Sequence, residues 1–153
     1  MRIWIDADAC PGPVREIVLR AATRVGVPVV FVANKPLYLP PSSLVSTVQV
    51  GKGLDVADMH IAAEAQAGDL AVTQDIPLAA ALVKKGVTTL DPRGETFTEE
   101  NVDERLSVRD FMHELREAGV ATGGPKSFSP QDRQRFAASF DRELSRLVRA
   151  GPR

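Results

Sequence analysis

An α/β fold built on a mostly parallel sheet is predicted by three features of the chain. Short apolar segments alternate with segments of helical period as far as Pro92. The apolar segments are short, as in strands covered by helices on both faces of a sheet. Glycine and proline fall at the joints between segments. The 153 residues make one ordinary domain with a real core. Residues 1–92 form its α/β core, and residues 93–153 form a helical extension packed on that core.

The elements follow in order. Arg2–Asp6 is an apolar run ending in an acid, the first strand. Pro13–Val25 places Val14, Ile17, Val18, Ala21 and Val25 at helical spacing, and Pro13 suits a first helical turn. Gly26 closes that helix, and the β-branched Pro28–Val32 is the second strand. Lys35–Ser43, with Pro36, Pro40 and Pro41, reads as a loop, so the repeat is imperfect between the second and third strands. Val45–Val50 is a strand, and Gly51-Lys52-Gly53 turns into a helix from about Leu54 to Ala67. Leu70–Thr73 is the fourth strand. Asp75 caps the next helix, which has Pro77 in its first turn and runs to Lys85. Gly86 ends it, and Val87–Leu90 is the fifth strand. Beyond Pro92 only helices are expected. Thr98 caps one through Arg116, broken near Ser107 and stopped at Gly119. Thr122-Gly123-Gly124-Pro125 is a rigid turn. Ser129-Pro130 opens the last helix, with Phe136, Phe140, Leu144, Leu147 and Val148 on one side.

Composition removes several function classes. Hydrophobic residues are 44% and charged residues 25% of the chain, which reads as globular rather than disordered. No apolar run approaches the roughly 20 residues of a membrane helix, and the N-terminus has no signal-peptide pattern, so a cytoplasmic protein without a membrane partner is expected. One cysteine, Cys10, excludes an internal disulfide framework and a multi-cysteine zinc site. Aromatics at 5% and a net charge of −1 give no global signature for nucleic acid. The charge is uneven, however. From Lys126 on, seven Lys/Arg stand against three Asp/Glu.

The acids carry the chemistry. In open parallel sheets, ligands bind beyond the carboxyl ends of the strands, where strand order reverses. Asp6 and Asp8 lie at that end of the first strand, and Asp75 lies just past that end of the fourth. If those strands are neighbours, the three converge. Asp55 and Asp58 are three residues apart, about 60° on a helical wheel, near the N-terminus of a helix that begins at the same edge. Crowded carboxylates raise one another's pKa, and a hard cation such as Mg²⁺ or Mn²⁺ relieves the conflict through oxygen ligands. Each acid also has a structural role open to it: Asp75 as a cap, Asp55 as a favourable charge in a first turn, Asp8 as a brace for its own turn. Asp6 is hardest to explain in that way, because an acid ending a buried strand needs a partner.

These motifs carry a resemblance. Trp4-Ile5-Asp6-Ala7-Asp8-Ala9-Cys10-Pro11, Val32-Ala33-Asn34, Gly51–Asp58, Gly68–Leu78, Pro92-Arg93-Gly94, Arg109–Leu115 and Thr122-Gly123-Gly124-Pro125 resemble the bacterial YaiI/YqxD family, collinearly over nearly the whole chain. That family is grouped with PIN-like domains, many of them Mg²⁺- or Mn²⁺-dependent ribonucleases. The resemblance implies a three-layer fold of strand order 3-2-1-4-5. It implies Asp6, Asp58 and Asp75 as metal ligands, with Asp8 and Asp55 as secondary ligands or water-positioning groups. It further implies RNA, or another phosphodiester, as substrate.

Other residues are read beside this site. Asn34 ends the second strand, where it bonds a phosphate or a loop. Arg93 either reaches substrate phosphate or ties down the C-terminal helices. Lys52 sits in a Gly-Lys-Gly turn without P-loop spacing and is a phosphate contact at most. Arg105 and Arg109 share a helix face, lining a substrate channel or pairing with Glu104 and Asp110. The arginines of the last helix form a solvated face, with a phosphate-backbone stripe as the lesser reading. Cys10 is expected to be a small buried hydrophobe, and His60, about 200° round the helix from Asp58, points away from the site. Two further readings stay open. Asp6-Ala7-Asp8 imitates the signature of haloacid-dehalogenase phosphatases, with Asp6 as covalent nucleophile. A PIN-like fold also serves non-catalytic binding of RNA or protein.

Overall fold

The computed structural model describes residues 1–53, 55–123 and 127–151. The predicted helix start at Leu54 and the Gly124-Pro125 part of the predicted turn lie outside them. Five strands form one parallel sheet: β1 (Ile3–Asp6), β2 (Val29–Ala33), β3 (Val45–Gln49), β4 (Leu70–Val72) and β5 (Thr88–Leu90), in the order β3-β2-β1-β4-β5. Five α-helices accompany them: α1 (Gly12–Val25), α2 (Val56–Glu64), α3 (Ile76–Lys84), α4 (Glu99–Glu117) and α5 (Pro130–Ala150). A single 3₁₀ turn, Ala7–Ala9, follows β1. This is the α/β architecture and strand order that the resemblance implies.

Strand periodicity sorts the apolar runs into two layers. Ile3, Ile5, Phe31, Leu70 and Val72 pack with Val14 and Val18 of α1 and Phe136, Phe140 and Leu144 of α5. Trp4, Val30, Val32 and Ala71 face the other way, onto Ile61 of α2 and Leu78 and Leu82 of α3. The chain moves from β1 to β2 in one direction, and from β3 across to β4 and β5 in the other. Right-handed crossovers therefore put α1 on one face and α2 and α3 on the opposite face. The reversal falls between β1 and β4, where a crevice opens beyond the strand ends.

The helical extension is anchored by charge and close packing. After β5, Asp91 accepts the backbone N–H groups of Arg93 (2.9 Å) and Glu95 (3.0 Å), which turns the chain back. Gly94, at φ 93°, lies against the α5 backbone, and a Cβ there would stand 2.6 Å from the Arg135 carbonyl. Arg93 bonds Asp132 of α5 at 2.7 Å. Asp132 also accepts the Ser129 N–H at 3.0 Å in a capping box. That backbone bond, helped by the Ser129 hydroxyl and by Arg93, holds its carboxyl below the usual range. Val102 and Phe97 pack α4 onto Ala79 and Ala80 of α3.

Three sequence expectations are corrected. The helix from Thr98 is unbroken at Ser107, whose hydroxyl bonds back to the Asp103 carbonyl at 3.2 Å and so stays within the helical pattern. The second helix ends at Glu64 instead of Ala67, because Ala65 turns extended to bury its methyl beneath the sheet. Val148 is 42% exposed, off the packed stripe of α5. Among the described residues, no helix is long and apolar enough to cross a membrane.

Candidate metal centre

Five aspartates line one cavity of about 350 Å³ at the carboxyl ends of β1 and β4: Asp6, Asp8, Asp55, Asp58 and Asp75. Their positions follow from the elements that carry them. Ile5 pairs with Val72, so Asp6 and Thr73 leave adjacent strands side by side. The Thr73 hydroxyl donates to Asp6 Oδ2 at 2.8 Å and accepts the Asp75 N–H at 3.0 Å. Asp75 caps α3 by accepting the Leu78 N–H at 2.8 Å through Oδ1, which leaves its second oxygen for the cavity. Asp55 precedes α2 in the left-handed region, at φ 66°, the sole non-glycine with positive φ among the described residues. Aspartate tolerates this conformation better than most residues.

The closest approach is made by Asp55, Asp58 and Asp75. Each offers an oxygen within 4.8 Å of the other two, and among the described residues no other such cluster of metal-binding side chains occurs. Asp58 and Asp75 are half-buried, whereas Asp55 is exposed. Asp6 borders the same cavity, with its carboxylate held by Thr73. The crowding is visible electrostatically. Desolvation, a side-chain hydrogen bond with Asp75 and repulsion from Asp75, Asp6 and Asp55 push Asp58 up to about 8. Burial raises Asp6, opposed by the Thr73 bond and reinforced by the charges of Asp75 and Asp8. An all-oxygen donor set under mutual repulsion fits a hard divalent cation.

The remaining sequence-predicted residues divide by partner. Asp8 braces the second strand's exit, with its two oxygens accepting the Asn34 N–H at 3.1 and 2.9 Å. Asn34 itself lines the cavity. Lys52 is exposed in the loop whose Gly53 reaches the cavity wall. Arg93 takes the anchoring role through Asp132. Arg105 pairs with Asp91 (3.6 Å) and Glu95 (3.3 Å), not with Glu104, and stacks on the Phe97 ring at 4.7 Å. Arg109 pairs with Asp110 at 3.4 Å and walls a neighbouring groove that shares Asp55, Asp58 and Asp75. Cys10 is buried, and that burial pushes its thiol up to about 12, out of reach of neutral reactivity. His60 lies edge-on to Trp4, with ring centroids 6.2 Å apart.

Two contributors were not singled out from sequence. Thr73 is the buried hydroxyl that orients Asp6, and Gln74 lines the cavity beside it. The signal for Thr73 was available: like Asp6, it is a polar residue ending a buried strand, and such a residue needs a partner.

The chain is similar to proteins already known. The family model described as "Uncharacterized BCR, YaiI/YqxD family" matches residues 4–146. A UPF0178 protein of Myxococcus xanthus is 71% identical over 153 residues, all of both chains. A UPF0178 protein of Geobacter metallireducens is 58% identical, covering 97% of this chain and 96% of its own. One from Syntrophobacter fumaroxidans is 55% identical over 95% of each chain. No solved structure matches the chain. With the model spanning almost its full length and relatives this similar end to end, the chain belongs to the YaiI/YqxD family.

Proposed function

We infer that the chain is a metal-dependent phosphodiesterase acting on RNA in the cytoplasm, with Mg²⁺ or Mn²⁺ held by Asp55, Asp58 and Asp75 and with Asp6 as the adjoining acid. The observation that carries this reading is the meeting of three carboxylates within 4.8 Å at the strand-order reversal, in an open cavity. A bound divalent cation supplies an activated water and stabilises charge developing on a phosphoryl oxygen. The chain's own residues prepare that chemistry. Asp75 is fixed by its cap bond and Asp58 by the first turn of α2, so two donors come from rigid helix ends. Thr73 fixes Asp6 beside them. Asp58 must release its proton to serve as a ligand, which couples cation uptake to pH.

Titration calorimetry with Mn²⁺, paired with cleavage of single-stranded RNA, tests the reading on the wild type and on Asp75→Asn. The amide keeps the cap on Leu78, since asparagine caps about as well as aspartate, and removes a ligand charge. The expected result is loss of Mn²⁺ heat and of Mn²⁺-dependent cleavage in a folded variant. Full affinity and activity in Asp75→Asn would defeat the assignment. A phospho-enzyme trapped on Asp6 would instead favour the nucleophilic phosphatase.

A further inference from the structure

The acidic cavity does not end at its carboxylates. Asp55, Asp58 and Asp75 also line a second cavity, about 240 Å³, together with residues of α2 and α3. Its walls are apolar: Met59 and Ala62 from α2, Pro77, Leu78 and Ala81 from α3. Among the described residues, Arg109 of α4 is its one cation. Met59 is 69% exposed, a large flexible apolar side chain in the groove lining.

We propose that this groove seats the base of one unpaired nucleotide beside the scissile phosphodiester, with Arg109 taking the next phosphate along the strand. The assignment rests on the phosphodiesterase reading and names where the rest of that substrate goes. Three features point to such an occupant. The volume falls below the roughly 300–1,000 Å³ of sites that enclose a drug-sized ligand, so the groove takes one ring system. Once a cation fills the acidic cluster, the charges are complementary to a polynucleotide, with a metal ion and a guanidinium lining the same groove. Arg109 has only a surface pair with Asp110 to give up, and such pairs are weak.

The lining also sets the specificity. Base identity is read by hydrogen bonds to base edges. Apart from the acids and Arg109, the described residues that line the groove have apolar side chains: Met59, Ala62, Pro77, Leu78 and Ala81. The groove therefore accepts any base, and a paired base, whose edge is occupied and whose partner strand adds bulk, does not enter. Without an aromatic platform, the gain per base lies at the low end of the range for stacked bases.

The test uses the full chain with Mn²⁺ and a short fluorescent RNA strand made resistant to cleavage, read by anisotropy, with Mn²⁺ affinity measured separately by calorimetry. Ala81→Leu fills the groove from an exposed helical position without adding an aromatic ring, and Met59→Ala removes an apolar wall. Each is expected to weaken strand binding by about five-fold or more while leaving Mn²⁺ affinity unchanged. A single abasic residue next to the scissile position should cost the wild type the same factor and cost Ala81→Leu nothing further. Changing that base should alter affinity by less than about two-fold, and Arg109→Gln should lower the salt slope by about one. Strand binding by Ala81→Leu equal to wild type, or a marked base preference, overturns the groove and leaves the metal reading standing. A wild type that takes up Mn²⁺ but not the strand does the same. Absence of Mn²⁺ heat in the wild type overturns the metal reading, and the groove with it.

Discussion

The Thr73 hydroxyl stands 2.8 Å from Asp6 Oδ2 and at the same time accepts the Asp75 backbone N–H at 3.0 Å. One buried side chain thus positions both acids that leave the adjacent strands β1 and β4. Thr73→Val preserves shape and removes both bonds. It should cost about 1–3 kcal/mol of stability, the range for leaving buried polar groups unsatisfied. The bond also opposes the upward shift of Asp6, so its loss should weaken Mn²⁺ binding. Thr73→Ser should recover most of the metal affinity. Denaturant melts and Mn²⁺ titration of both variants check this, and a Thr73→Val protein with wild-type behaviour in both would remove Thr73 from the site.

Asp55 combines a left-handed backbone with a carboxylate of the acidic cluster in a single residue. Its left-handed backbone is strained for any side chain and free for glycine. Asp55→Gly should raise stability by about 0.5 kcal/mol, the strain relief being partly offset by the freer unfolded chain. It should also lower Mn²⁺ affinity. Unchanged affinity would place Asp55 outside the cluster's working ligands.

The pH dependence has a definite sign. Asp58 is pushed up to about 8 in the folded, metal-free protein, against an unfolded value near 4. Between those values the folded state holds a proton that the unfolded state has lost. Stability therefore falls as pH rises from about 4 to about 8, and the raised Asp6 acts in the same direction. Solvent at the half-exposed Asp58 screens much of this. Metal affinity runs the opposite way, because the ligand must lose its proton. Melting curves with and without Mn²⁺ should diverge as pH increases, and Asp58→Asn should flatten both trends.

Gly94 reports on how the helical extension is fastened. A methyl group there would meet the Arg135 carbonyl carbon and oxygen at 2.6 Å, on a backbone at φ 93°. Gly94→Ala should destabilise the protein by about 2–3 kcal/mol, combining overpacking with left-handed strain. A thermal melt matching wild type would mean that α5 moves aside freely.

Much of the architecture was legible because its causes are local. Strand and helix periods, the caps at Asp75, Thr98 and Ser129, and the glycine stop at Gly26 act within a few residues of themselves. The errors arose where local signals run out. Ser107 looked like a break, but its hydroxyl closed a bond inside the helix. Ala65 looked helical, but burial against the sheet drew it out of the helix.

By itself, the sequence determined the parallel α/β class and the presence of acids at the strand ends, because hydrophobic period and turn chemistry are written in short windows. Which acids meet was decided only by the tertiary structure. Asp6 depends on Thr73, 67 residues away, and Arg93 on Asp132, 39 residues away, and both pairings exist only once the sheet order is set. The same order separated Asp8, turned onto the Asn34 backbone, from Asp55, brought to Asp58 and Asp75. A carboxylate's role follows from which donors and charges surround it. Those neighbours come from distant segments, so no short window of sequence holds the answer.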